Sequence, residues 1–163
     1  MILLTSASIS INQNPHKVFD FATNMENYAD WFEGIINIAS SNTLSQFSLG
    51  KCYQETLVIN GEEQQLTIKV DQCLRPQLFI TKGDLAGILP QMTMKFTDIN
   101  RGLETEPNTT STLMELSYHS REPSLESNQA MLDFLRQNLS QRAEAGLKKL
   151  KGLLEETEKE FNH

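Results

Sequence analysis

Cysteine, tryptophan and basic residues are scarce in this chain. The two cysteines, Cys52 and Cys73, are too few for a disulfide framework, so the fold has to rest on an apolar core, with a reducing cytoplasm as the expected setting. Fourteen Lys and Arg stand against twenty-one Asp and Glu, and the net charge of −7 argues against a nucleic-acid partner. No apolar run approaches the roughly 20 residues that span a bilayer, so no integral membrane contact is expected. Met1-Ile2-Leu3-Leu4 lacks a basic flank and turns polar at Thr5-Ser6, which reads as a strand and not as a secretory leader. His16, His119 and His163 are scattered, and with the two cysteines they give no metal-ligand spacing. The chain also has no Gly-rich phosphate loop, Gly-x-Ser-x-Gly elbow or Cys-x-x-Cys pair, and no cofactor is expected. What it does have is 39% apolar and 21% charged residues over 163 positions, enough for a single domain, 1–163, with its own core.

The patterning predicts an order of elements. Ala7, Ile9 and Ile11 alternate with Ser6, Ser8 and Ser10, as in a half-buried strand. Asn14-Pro15 supplies an N-cap and a first helical residue, with Val18, Phe19 and Ala22 as the inner stripe. After a break at 24–27, a second helical turn is predicted from Tyr28 to Phe32. Strands follow around Ile36 and Ile38, over Lys51–Ile59, Glu62–Cys73, Leu78–Lys82, Gln91–Ile99 and Thr112–Arg121, the last two joined by a polar segment near Glu104–Thr110. Pro123-Ser124 then opens a long helix from about Leu125 to about Lys159. Its apolar stripe runs through Leu132, Leu135, Leu139, Ala143, Gly146, Leu150 and Leu153. Lys148, Lys149 and Lys151 are followed by Glu155, Glu156, Glu158 and Glu160, a solvated helix end. Hairpin-connected strands with segregated helices make the class α+β.

Asn60-Gly61 fixes a register. A two-residue type I′ loop pairs Ile59 with Glu62, Leu57 with Gln64, Glu55 with Leu66 and Tyr53 with Ile68. One face then carries Tyr53, Leu57, Ile59, Leu66, Ile68 and Val70, and the other Cys52, Gln54, Thr56, Gln65, Thr67 and Lys69. Glu55 falls on the apolar face. A carboxylate there must be paired, hydrated or protonated. It is an acid/base or ligand-anchoring group, or it lies near an open rim, or it pairs with Lys82 or an arginine.

Several local features share one resemblance: Asn14-Pro15-His16-Lys17-Val18-Phe19 leading into the first helix, Trp31 at its distance beyond, Gly50 opening a strand, the Asn60-Gly61 hairpin, Arg75-Pro76 closing the next strand, and Leu147 to Leu154 at the helix end. In this order the chain resembles the START-like, or SRPBCC, superfamily, more narrowly its polyketide cyclase/dehydrase and lipid-transport branch. Glu33 stands where that family often has Pro. The resemblance implies a helix-grip fold: a curved antiparallel sheet of about seven strands around a long C-terminal helix, with two short helices after strand 1. It further implies a cavity between sheet and helix for a small hydrophobic molecule. It does not select among cyclases, lipid carriers, hormone receptors and chaperone cofactors.

Alternation nominates the cavity residues. They are Tyr53, Glu55, Leu57 and Ile68 on the hairpin, Met92, Met94 and Phe96 on one later strand, Met114, Leu116 and Tyr118 on the next, and Leu139 and Ala143 on the helix. Trp31 joins them through its place in the family pattern. Leu85 and Ile88 lie in the loop Gly83–Pro90, whose apolar centre either forms a lid at the cavity mouth or packs permanently against the helix. Three readings follow: a binding module for an apolar or aromatic ligand, a cyclase or dehydratase using Glu55 and Tyr118 as acid and base, or a protein-interaction domain.

Overall fold

Asn60 and Gly61 both sit at positive φ, +52° and +79°, as the two central residues of a type I′ turn must. They join β3 (Cys52–Ile59) to β4 (Glu62–Leu74) in the predicted register, with Ile59 opposite Glu62 and Glu55 opposite Leu66. The parity holds as far as Val70. There a bulge at Asp71 lets Val70 face Thr81 and Gln72 face Ile80 on β5 (Leu78–Gly83). Beyond the bulge every side chain changes face. Cys73, which unbroken alternation from Lys69 would put on the outer face with Cys52, therefore lies opposite the fully buried Phe79 and packs against the core. Both thiols are free.

The computed structural model describes residues 1–99 and 110–161, with side chains as far as Glu156. The polar segment expected near Glu104–Thr110 lies outside the described residues up to position 109, as do His163 and the side chains of Glu158 and Glu160. The remaining strands are β1 (Ile2–Ile11), β2 (Ile35–Ser40), β6 (Pro90–Asp98) and β7 (Thr112–Ser120). All seven form one antiparallel sheet in the order β1-β7-β6-β5-β4-β3-β2. With α1 (Pro15–Ala22) and the long helix α2 (Gln129–Phe161), this is the helix-grip α+β arrangement.

Two helix starts differ from expectation, both because an asparagine side chain caps the backbone elsewhere. The second short helix is a 3-10 turn over Met25–Asp30. It begins three residues early because the Asn24 side chain accepts from the Glu26 N–H. The long helix begins at Gln129, where the Asn128 side chain accepts from the Met131 N–H at 3.2 Å. The preceding Pro123–Ser127 is a separate 3-10 turn, capped by Glu122 and not by Ser124. The first cap is as expected, Asn14 accepting from the Lys17 N–H at 2.9 Å.

β1 is an edge strand, and an uncovered edge leaves unpaired backbone groups. α2 covers it. Arg136 Nε donates to the Leu3 carbonyl at 3.1 Å, Lys151 Nζ donates to the Ser10 carbonyl at 2.6 Å, and the Thr5 and Ser140 hydroxyls meet between them at 2.8 Å. From Arg136 to Lys151 the helix rises about 22 Å, and from Leu3 to Ser10 the strand rises about 23 Å, so the two elements stay in step. Behind them Leu132, Leu135, Ala143, Leu147, Leu150 and Leu154 are buried. Leu154 takes the inner position expected of Leu153. Among the described residues no helix is long and apolar enough to cross a membrane.

Gly146 is where α2 comes nearest the short helices. A Cβ there would lie 2.9 Å from the Trp31 carbonyl oxygen and 3.4 Å from both the Phe32 and Trp31 rings. A backbone oxygen cannot swing aside as a side-chain tip can. Helix propensity alone would make Gly146→Ala stabilising by about 1 kcal/mol. The crowding outweighs that gain, since overpacking costs about 1–3 kcal/mol. Gly146→Ala should therefore lose about 1 kcal/mol of stability, read from the shift in urea midpoint. A midpoint that rises would show that the helix has room to spare here.

Candidate functional site

The inward side chains of β6 and β7 form rungs: Met92 opposite Tyr118, Met94 opposite Leu116, and Phe96 opposite Met114. Successive rungs lie about 6.6 Å apart. The lower two are filled from α1, whose Phe19 ring meets Phe96 at 5.1 Å and Phe79 at 6.3 Å, both edge-on. Among the described residues no ring of α1 meets the Met92–Tyr118 level; the rings near Tyr118 are Tyr28 and Phe32, at one side of it. There the sheet and the first half of α2 stand apart and leave a cavity of about 100 Å³, partly open to solvent. That is the scale of apolar cavities that admit one aromatic ring.

Leu57, Leu66, Ile68 and Met92 line it from the sheet, Phe134, Leu135 and Leu139 from the helix, and Leu85 and Ile88 from the loop between β5 and β6. Its rim is half-exposed at Ile35, Ile59, Ile88 and Leu139.

Its polar groups are few. Glu55 points into the cavity and is only 4% exposed. No hydrogen bond or ion pair reaches its carboxyl from the described residues. Lys82, one expected partner, pairs instead with Asp71 at 3.5 Å. Desolvation raises the Glu55 pKa to about 7.

Across the cavity the Tyr28 and Tyr118 hydroxyls are hydrogen-bonded to each other. Burial raises the pKa of both, and the negative charge on Glu55 adds to each shift, which puts the carboxyl and the two hydroxyls in one electrostatic neighbourhood. The ring of Phe32 lies stacked on Tyr28 at 4.9 Å and 5.7 Å from Tyr118.

Arg142 and Asn138 complete the polar lining from α2. The Arg142 guanidinium occupies the space that a side chain at residue 34 would need: a Cβ on Gly34 would lie 2.4 Å from Nη1. The guanidinium also reaches the Val58 carbonyl at 3.5 Å. No carboxylate pairs with it among the described residues.

The cavity thus brings together Glu55, Leu57, Ile68, Leu85, Ile88, Met92, Tyr118 and Leu139 of the residues nominated by sequence. The others lie outside its wall. Met94, Phe96, Met114 and Leu116 belong to the filled rungs, and Ala143 is packed in the helix seat. Tyr53 is buried beneath Lys51, whose Nζ lies 5.3 Å from the ring centre. Trp31 backs the wall from outside, edge-on to Tyr28 at 5.2 Å. Sequence reasoning missed Tyr28, Phe32, Asn138 and Arg142. Asn138 and Arg142 follow Leu135 at helical spacing, and two polar residues beside an apolar stripe were the available signal.

No family model and no curated protein matches the chain. Solved structures do match its fold. The Zhui aromatase/cyclase from Streptomyces sp. R1128 superposes with a TM-score of 0.67 at 12% identity, over 93% of this chain and 92% of that one. A START superfamily protein from Mycobacterium smegmatis gives 0.65 at 12% identity, over 95% and 99%. The di-domain aromatase/cyclase StfQ of the steffimycin biosynthetic pathway gives 0.67 at 10% identity, over 96% of this chain and 52% of that one, so the chain spans about half of StfQ. The fold is START-like.

Glu55 links the site to stability. Its ordinary value is 4.5 and its folded value about 7, so the folded chain holds the proton more tightly than the unfolded chain. The stabilisation from the neutral acid is fully present below pH 4.5 and is lost as the pH rises through 7. Measured against Glu55→Gln, which cannot ionise, the wild type should lose about 2–3 kcal/mol between about pH 5 and 8.5 in denaturant titrations. A constant difference between the two proteins across that range would mean that the carboxyl is solvated or paired.

Proposed function

We propose that this chain binds a small hydrophobic or aromatic molecule in the cavity between the sheet and α2, in a reducing cytoplasm that suits its two free thiols. The observation that carries the reading is an apolar cavity holding one buried carboxyl with no partner among the described residues. Empty, that arrangement costs stability twice, in unfilled volume and in a desolvated acid. An occupant fills the volume, and one that carries a polar group can also satisfy the acid. Leu85 and Ile88 cover the cavity from their loop, which turns at Gly87, where φ is +83°.

Toluene is a suitable first probe because it offers one apolar ring and nothing else. Its binding should move the NMR resonances of Ile68, Met92 and Leu139. Leu57→Trp fills the cavity from the hairpin side and should weaken binding by about tenfold or more, while circular dichroism shows the fold intact. Equal affinity in wild type and variant would place the probe elsewhere.

One observation favours a second reading, a cyclase- or dehydratase-type enzyme acting on a ketone. Glu55 shares its cavity with the hydrogen-bonded Tyr28–Tyr118 pair. As base, Glu55 would take a proton from the carbon beside the carbonyl. That C–H pair becomes the enolate double bond, and Tyr118 donates a hydrogen bond to the oxygen. With phenylacetone in D₂O, the chain should then speed deuterium uptake at the carbon beside the carbonyl. The rate should rise as Glu55 ionises and fall in Glu55→Gln and Tyr118→Phe. A ketone that binds without faster exchange leaves binding as the function.

A further inference from the structure

The cavity carries two ionisable groups of opposite sign at different depths. Glu55 is deep and unpaired, and Arg142 stands nearer the rim. These two do not neutralise each other: the guanidinium is lodged over Gly34 and turned to the Val58 carbonyl. The chain therefore keeps its own cation away from its buried acid.

The groups that face Glu55 from the surrounding elements are the Tyr28 hydroxyl from the 3-10 turn, the Tyr118 hydroxyl from β7, Thr81 from β5, and Asn138 and Arg142 from α2. Its neighbours Ile38 on β2 and Leu66 on β4 are apolar. Among the described residues no other acid, lysine or histidine lines the cavity. Tyr28, Phe32 and Tyr118 line the same cavity with aromatic rings, and aromatic rings attract cations. The net charge of −7 draws cations toward the molecule and repels anions.

We propose that the ligand is a hydrophobic amine, with its ammonium group seated against the Glu55 carboxylate and the rings of Tyr28, Phe32 and Tyr118. This inference rests on the cavity being a ligand site and names the class of ligand it takes. A carboxylate and an ammonium that are both removed from water need each other: either alone in the cavity is costly, and together they form a charge-assisted hydrogen bond. An alcohol gains no such partnership. A carboxylic acid would have to reach Arg142 while its charge is repelled by Glu55.

Binding is then linked to a proton. At low pH the Glu55 carboxyl must release its proton before it can pair with the ammonium, so affinity for the amine rises as Glu55 ionises.

Benzylamine, benzyl alcohol and phenylacetate provide the test, titrated by calorimetry and NMR at about pH 5.5 and 8. Benzylamine affinity should rise by about tenfold or more between these values, as the ionised fraction of a group titrating near 7 requires. Benzyl alcohol affinity should not rise. Glu55→Gln should remove the pH dependence and weaken benzylamine by about tenfold or more, leaving benzyl alcohol within about twofold. Benzylamine binding no tighter than the alcohol at about pH 8, a pH rise that survives in Glu55→Gln, or tighter binding of phenylacetate would each overturn the amine assignment while leaving the cavity as a ligand site. If none of the three binds, the cavity reading falls and the amine assignment with it.

Discussion

The seating of α2 along the edge of β1 governs the rest of the molecule. Arg136, Ser140 and Lys151 hold the helix to Leu3, Thr5 and Ser10, and the equal rise of helix and strand keeps these contacts in step. A helix held at one sheet edge cannot fill the whole concave face. Toward its C-terminal half, Ala143 and Gly146 let it settle closely, to within van der Waals contact of Trp31 and Phe32. In its N-terminal half, Leu135 and Leu139 stand off from β3, β4 and β5, and the long Arg142 side chain reaches across to the Val58 carbonyl of β3. The cavity is the space left between a tight seat at one end and an open one at the other. Its position is thus set by where small residues lie on α2, and its depth by where Phe19 stops.

This explains which parts of the structure could be read in the sequence. The Asn60-Gly61 turn and strict alternation determine which face each residue of β3 and β4 takes, so Glu55 could be assigned to the inner face before any fold was known. Alternation reports face and not depth. Met92, Met94 and Phe96 have the same parity and chemical character, yet only Met92 meets the cavity, because the filling of the other two rungs comes from α1, more than seventy residues away in sequence. The bulge at Asp71 has no sequence mark either, and it moves Cys73 from one face to the other. Tyr28 was hidden for a related reason. Its partner Tyr118 lies on the last strand, and neither residue declares the other. The helix starts failed locally, because several asparagines and serines compete to cap, and tertiary packing selects Asn24 and Asn128.

Glu55 has the wrong chemistry for a purely structural part. Its carboxyl is desolvated, it has no partner among the described residues, and its charged form penalises the fold as pH rises through about 7. A glutamine would remove the penalty at similar volume. A leucine would extend the apolar wall already made by Leu57, Leu66 and Ile68. Both are better core residues here by the ordinary rules of burial. Strain of this kind is expected where a site is prepared for something the chain itself does not supply.

The placement of Arg142 sharpens that argument. A glutamate and an arginine lining one small cavity would ordinarily be drawn into an ion pair, which would relieve the acid and close the site. Gly34 prevents this: with no side chain, it leaves a slot into which the guanidinium fits, and the Val58 carbonyl holds it there. A residue with a Cβ at position 34 would occupy that slot and turn the guanidinium toward the cavity. The missing side chain at Gly34, where φ is +89°, and the unpaired carboxyl of Glu55 belong to one arrangement, in which the guanidinium lies over the glycine and forms no ion pair with the acid.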